Sequence, residues 1–369
     1  MQVIIAVQAK MRLFAEDDVD IVLSDSSINA DKKAEGLRKT GLFRRVKYIK
    51  TKAVSKYSRF SKIFGVVSAF FMKNNMYSDL FWDDLDYDRI FFYNPGVDTF
   101  AAFDKALRLS GRKNPPELIR IEEGILTPPW LPLLEYGIGT GELDGRSTVF
   151  HILCKITGRP DLVSNTRKYM CFYPELLGTS PLMKNMERKD YPHIRIPLLT
   201  SDKDFLEKLN TVFDYDPSAN SFPQKYIYFA TSSDIDGNPV GETELIIKIS
   251  ELVGKDNLLV KVHPRDGRDV FERAGLTVSR NSALPWEVIQ LNHDFTKHVF
   301  ISLSSGSTLN ITAMKNENIP VFMLFPLVAG KDKQIDSYCV NMKKTLEALQ
   351  ALGVCRSVKI TDKLGDVIM

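Results

Sequence analysis

The sequence predicts an α/β protein built from two doubly wound parallel sheets that face one another across a cleft. Three observations carry this expectation. The chain has 369 residues with 44% hydrophobic and 26% charged content, enough apolar material for about two domain cores, which excludes disordered and fibrous classes. Short β-branched or aromatic runs alternate with amphipathic stretches, the rhythm of repeated βα units around parallel strands. The segment 214–224, DYDPSANSFPQ, is rich in Pro, Ser and Asn and reads as a linker, so the expected domains are 1–213 and 214–369.

The elements follow in order. MQVIIAVQAKMRLF repeats Val3, Ile4, Val7, Met11 and Phe14 at near-helical spacing, so a helix opens the chain. A doubly wound domain usually opens with a strand, and the expectation is that this one begins one strand late. Strands are next expected at 19–23, 45–49, 89–93 and 117–121, with helices at 31–40, 58–76 and 97–109. Residues 127–199 look less regular. After the linker the rhythm sharpens: strands at 226–231, 258–262, 299–303 and 320–324, with helices at 242–253, 285–291, 307–315 and 336–352. Two such sheets would turn the carboxyl ends of their strands toward the cleft, where ligands bind.

Lys and Arg number 49 against 46 Asp and Glu, a net charge of +3, far from the footprint of a dedicated nucleic-acid binder. The positive charge is nonetheless gathered in one place. Lys32, Lys33, Arg38, Lys39, Arg44, Arg45, Lys47, Lys50, Lys52, Lys56, Arg59 and Lys62 face only Asp31 and Glu35 in that stretch. This is either a solvated face or a contact with an anionic membrane surface or acidic glycan. Cys154, Cys171, Cys339 and Cys355 are scattered, which suits a reducing cytoplasm and argues against a structural zinc site. No secretory signal pattern opens the sequence, and the longest apolar stretch, 63–72, is about half of a membrane span. The expected location is the cytoplasm, with peripheral contact at the inner face of the membrane through the basic stretch.

Three motifs carry chemistry, each just past the carboxyl end of an expected strand. Glu122-Glu123-Gly124 places adjacent carboxylates on a sharp turn, where like charge raises the proton affinity of one and suits a general base; an acidic turn would look the same. His263-Pro264-Arg265 offers a donor to a phosphate or a leaving group, or a histidine satisfied at a strand end. Ser304, Ser305, Ser307 and Thr308 surround Gly306 before a helix, supplying hydroxyls, backbone N–H groups and a helix dipole to an anion, or ordinary N-caps. It lacks the Lys-Ser/Thr ending of a Walker loop. Together they describe a group-transfer site, with a base in one domain and an acid with an anion cradle in the other.

This order of motifs, acidic-acidic-Gly, then His-Pro, then a Ser-Ser pair, on two Rossmann-like domains resembles the bacterial sialyltransferases of the GT-B type. In overall pattern it is most similar to the lipooligosaccharide and capsule sialyltransferases of glycosyltransferase family 52, with bacterial polysialyltransferases as relatives. The resemblance covers most of the chain. Those families often open with a strand, Thr-Pro-x-Gln and a helix; Gln2-Val3-Ile4-Ile5 matches the tail of that motif, without the strand and Thr-Pro.

The resemblance implies an inverting transfer of sialic acid from CMP-sialic acid to a terminal sugar hydroxyl of a capsule or lipooligosaccharide glycan. It makes Glu123 the base with Glu122 supporting, and His263 the donor to the departing monophosphate. Ser304, Ser305, Ser307 and Thr308, beside Pro264 and Arg265, would hold the phosphate or the sialic carboxylate. The loop through Gly237 and the helix start at Trp286 would contact the nucleoside, although Trp286 reads equally as core. Asp234 and Asp236 are reserve bases; their Asp-x-Asp pattern also suits a metal-bound nucleotide, and the following Asp-Gly is foremost a turn signal. No metal or other cofactor is implied, the partners are a nucleotide-sugar donor and a glycan acceptor, and a homodimer is allowed. Residues 1–213 would form the acceptor side and 214–369 the donor side. The alternatives are a GT-B transferase using another activated sugar, or a non-catalytic nucleotide- or glycan-binding module.

Overall fold

The computed structural model describes residues 1–25, 27–50, 82, 87–93, 103, 116–129, 131, 156, 165–179, 191–235, 240–280, 284–330 and 333–368. Asp236, Gly237, the helix expected at 58–76 and, apart from Phe103, the one expected at 97–109 lie outside these residues.

The first half opens with the expected helix, α1 (Gln2–Arg12), which buries Ile4, Ile5 and Val7. β1 (Asp20–Ser24), α2 (Ala30–Thr40) and β2 (Arg45–Ile49) follow, and the two strands pair in parallel. Gly41, at φ +65°, closes α2 in the left-handed conformation that glycine adopts without a Cβ clash. A second parallel sheet holds β3 (Arg89–Phe92), β4 (Glu117–Ile121), β5 (Thr166–Cys171) and β6 (His193–Arg195) in sequential order. β5 and β6 fall in the stretch read as less regular; the charges in TRKYMC and the shortness of HIR hid them. Buried Asp20 accepts hydrogen bonds from Arg44, Arg45 and the Tyr87 hydroxyl, tying the β1–β2 ribbon to the segment leading into β3. Burial would raise the Asp20 carboxyl, but these donors hold it well below the usual carboxylate range.

Part of the basic stretch is therefore paired within the fold: Arg44 and Arg45 on the buried Asp20 side chain and Arg45 over the Trp82 ring at 4.5 Å, while Arg38 pairs with Glu35 on the exposed face of α2. Lys33 is buried. Lys52, Lys56, Arg59 and Lys62 lie outside the described residues.

The second half is a six-stranded sheet of β7 (Tyr226–Phe229), β8 (Leu258–Lys261), β9 (Thr277–Ser279), β10 (Val299–Ser302), β11 (Val321–Met323) and β12 (Val358–Ile360). Its spatial order is β12-β11-β10-β7-β8-β9, every pair parallel. The chain winds outward from β7 to β9, returns to β10 beside β7 and winds the other way, which is the Rossmann order with its switch point between β7 and β10. The crossovers contain α4 (Glu242–Val253), α5 (Val270–Arg273), α6 (Trp286–Asn292), α7 (Ser307–Met314) and α8 (Lys333–Ala351). β7 is buried on both faces: Tyr226 and Tyr228 join one core with Ile246 and Val260, while Ile227 and Phe229 join the other with Trp286 and Phe300, as strand alternation requires.

That second core runs without a break into the first half, through Ile4, Ile5, Leu37, Phe205 and Leu209. The last two belong to α3 (Lys203–Phe213), which packs on α1, α2 and α6. Asp202 caps it by accepting from Phe205 N at 3.0 Å, and Phe205, Leu209 and Val212 line its buried face. Backbone and side-chain bonds complete the seam: Leu199 N to Met314 O at 2.8 Å, Tyr173 Oη to Ala313 O at 2.6 Å and Gln8 Nε2 to Leu198 O at 3.0 Å. No helix among the described residues is long and apolar enough to cross a membrane.

Candidate functional site

At the switch point the carboxyl ends of β7 and β10 are joined by one serine. Ser302 Oγ donates to Phe229 O at 2.8 Å and accepts from Ser305 N at 2.9 Å. The loops leaving these strands and β8 wall a cleft of about 340 Å³. Its lining includes Lys261, His263, Glu287, Ser305 and Ser307 from the second half, and Ser27 and Lys33 from the first.

One wall favours anions. Lys261 ends β8; burial pushes its ammonium down from the ordinary lysine range, with Glu287 opposing. His263 Nδ1 accepts from Arg265 N at 3.3 Å, so a neutral ring keeps its proton on Nε2. Pro264 lines the cleft, while exposed Arg265 reaches Ser232 Oγ at 2.9 Å. α7 begins at Ser307 behind Gly306 with no side-chain cap; Thr308 N donates to Ser305 O at 3.3 Å and Leu309 N to Gly306 O at 3.0 Å, so what the helix start offers is its dipole and the serine hydroxyls. Among the described residues the hydroxyls of Ser304, Ser305 and Ser307 make no hydrogen bond. Thr308 is different: fully buried, it donates to Ser305 O at 2.7 Å, a fold-forming bond.

The carboxylates divide sharply. Glu122 is fully buried and accepts from Phe172 N at 3.2 Å. Burial pushes its carboxyl up to about 8, against the lowering effect of that hydrogen bond. Burial thus favours its neutral form, and Glu122 is not among the residues lining the cleft. Glu123 is half-buried, its N–H donating to Thr127 Oγ1 at 3.1 Å. Next to it, a Cβ on Gly124 would sit 3.0 Å from Asn310 Oδ1, so glycine allows α7 to approach the turn. Asn310 Oδ1 accepts from Ile125 N at 3.2 Å, and its Nδ2 donates to Glu287 Oε1 at 3.0 Å. The acidic turn of the first half is thereby hydrogen-bonded, through α7, to the carboxylate on the cleft wall.

Asp234 faces its own loop. It accepts from Val240 N, Gly241 N, Thr243 N and Thr243 Oγ1. Burial would raise it, yet these bonds hold it below its ordinary value, and in this structure it caps the loop and the start of the helix that follows. Neighbouring Glu242 closes the same loop, accepting from Thr231 N and the Tyr228 hydroxyl, with burial pushing it up to about 7. Trp286 is 2% exposed and packed among Phe222, Phe229, Phe295 and Phe300; it is a core ring whose remaining edge lines the cleft. Among the described residues no three His, Cys, Asp or Glu side chains converge as a metal site would.

Sequence reasoning passed over Lys33, Lys261, Glu242 and Asn310. Lys261 carried a signal, a lysine at the end of the apolar run LLVKV; Lys33 stood only as one charge of the basic stretch, and the partners of Asn310, Ile125 and Glu287, come from distant segments.

No family model and no curated protein sequence matches the chain. Among solved structures, the chain is similar to an alpha/beta-galactoside alpha-2,3-sialyltransferase from the luminous marine bacterium Photobacterium phosphoreum, at 10% identity and TM-score 0.48, covering 95% of this chain and 99% of that one. It is similar to the glycotransferase of kitacinnamycin at 13% identity and TM-score 0.47, covering 94% and 86%. A UDP-GlcNAc 2-epimerase from Methanocaldococcus jannaschii is similar at 10% identity and TM-score 0.44, covering 95% and 90%.

Proposed function

We propose that the protein is an inverting glycosyltransferase of the GT-B type that moves sialic acid from CMP-sialic acid to a terminal hydroxyl of a capsule or lipooligosaccharide glycan. One observation carries the reading. Lys261, His263, unbonded serine hydroxyls and a helix start converge on the switch-point cleft, and Asn310 ties that cleft to the Glu123 turn. An anion-holding wall and a nearby carboxyl group are what transfer from an activated sugar phosphate needs.

In this reading residues 1–213 serve the acceptor and 214–369 the donor. The acceptor oxygen bonds to the anomeric carbon as the bond from that carbon to the phosphate oxygen breaks, and the acceptor proton passes to Glu123. CMP leaves with its phosphate held by Lys261, His263 Nε2–H, Ser305 and Ser307, while Glu287 accepts from the ribose hydroxyls. A departing monophosphate carries less total charge than a departing diphosphate, so this reading needs no metal. A nucleotide-diphosphate donor is the second reading, favoured by the presence of both Lys33 and Lys261 in the cleft.

Donor hydrolysis separates the readings. Release of CMP from CMP-sialic acid in the presence of EDTA supports the first, and metal-dependent release of a nucleoside diphosphate supports the second. Binding of CMP with no turnover of any donor would refute both and leave a nucleotide-binding module.

A further inference from the structure

Among the described residues, Lys33 is the cleft-lining lysine supplied by the first half of the chain. Its side chain is 9% exposed, enclosed by Ser27, whose Oγ accepts from Nζ at 3.2 Å, and by the Phe213 ring, 5.7 Å from Nζ. Among the described residues no carboxylate forms an ion pair with it, and burial alone lowers its ammonium below the ordinary lysine range. A buried ammonium without a counter-charge is costly. Ser27 takes one of its three N–H donors, leaving two to match the two oxygens of a carboxylate. Lys261 already stands with His263 and the α7 start on the opposite half, so the cleft has two cationic centres on two different walls.

We propose that Lys33 selects an acidic sugar by binding the carboxylate carried on the anomeric carbon of the donor, while the Lys261 wall binds the phosphate. This rests on the proposed transferase reading and deepens it. A donor with two separated single negative charges, one on the phosphodiester and one on the sugar acid, then matches the two walls. A neutral sugar would leave Lys33 buried and unpaired, which is how the site would discriminate against it.

The test compares binding of CMP, CMP-sialic acid and the C1 methyl ester of CMP-sialic acid to wild type, Lys33→Met and Lys33→Arg. Wild type is expected to prefer the acid over the ester by about 10- to 100-fold, the range of a charge-assisted hydrogen bond. Lys33→Met should lose that preference while binding CMP as wild type does, which also reports that the variant is folded. Lys33→Arg should recover part of the preference. If Lys33→Met keeps the preference, or loses affinity for CMP as strongly as for the acid, the inference is overturned. Should wild type bind CMP but fail to bind or turn over CMP-sialic acid, the transferase reading itself falls, a distinguishable result that removes this inference with it.

Discussion

The loops that leave β7 and β10 lie side by side at the switch point and are made of similar residues, yet they do opposite things. After β7, Asp234 caps Val240, Gly241 and Thr243, and Glu242 holds Thr231 and Tyr228; that loop is closed by its own side chains. After β10, Ser302 and Thr308 bond the fold, but the hydroxyls of Ser304, Ser305 and Ser307 have no partner among the described residues. Small polar residues after a strand thus mean little until their hydrogen bonds are counted. What the fold has not already used remains for a ligand. The same contrast separates Glu122, enclosed and with its carboxyl pushed up by burial, from its neighbour Glu123 on the turn.

The widest gap should open between those two glutamates. Glu123→Gln is expected to lower kcat for sialyl transfer by about 10²- to 10⁴-fold, the usual worth of a general base, and Glu122→Gln to leave kcat within a few-fold. Equal losses in steady-state assays would erase the distinction. His263→Ala should come next, slowing donor turnover by about 10²-fold; unchanged release of CMP would remove it from the leaving-group side. For the closed loop, Asp234→Ala should cost about 2–3 kcal/mol of stability through lost caps, read as a lower urea midpoint, with kcat nearly intact. A fall in activity without a fall in stability would show that the loop is not merely structural. On the open loop, Ser305→Ala should weaken CMP binding about tenfold with an unchanged midpoint, and the reverse pattern would assign Ser305 to the fold.

The smallest effect concerns pH. Burial raises Glu122 from 4.5 to about 8 in the folded chain, so the folded state keeps a proton that the unfolded state releases. The stability this lends is complete below about 4.5 and is lost as pH rises through about 8. Wild type should therefore lose more thermal stability than Glu122→Gln over that interval, and parallel melting curves would place the carboxyl in water.

Much of this was legible in the sequence because the strands flanking the switch point are fully buried and read as unbroken apolar runs, YIYF and VFIS. The His263 and Ser304–Ser307 motifs were legible for the same reason: each starts where such a run stops. β5 and β9 were not, one carrying Arg167 and Lys168, the other only three residues long. The helix of 203–213 announced itself through Asp202 and the spacing of Phe205, Leu209 and Val212, a signal passed over beside the Pro-rich segment that follows. The division of labour between Glu122 and Glu123, or the bridge from Ile125 through Asn310 to Glu287, could not be read locally. Both depend on which distant backbone happens to lie against the turn.

A crystal structure with CMP bound tests the contrast between the two loops most directly. The phosphate is expected against Lys261, His263, Ser305 and Ser307 at the start of α7, with the ribose toward Glu287 and the Thr231–Asp234 side chains unmoved. A phosphate seated on the β7 loop, with Asp234 or Glu242 released from its present partners to receive it or a metal, would contradict the assignment of the cleft.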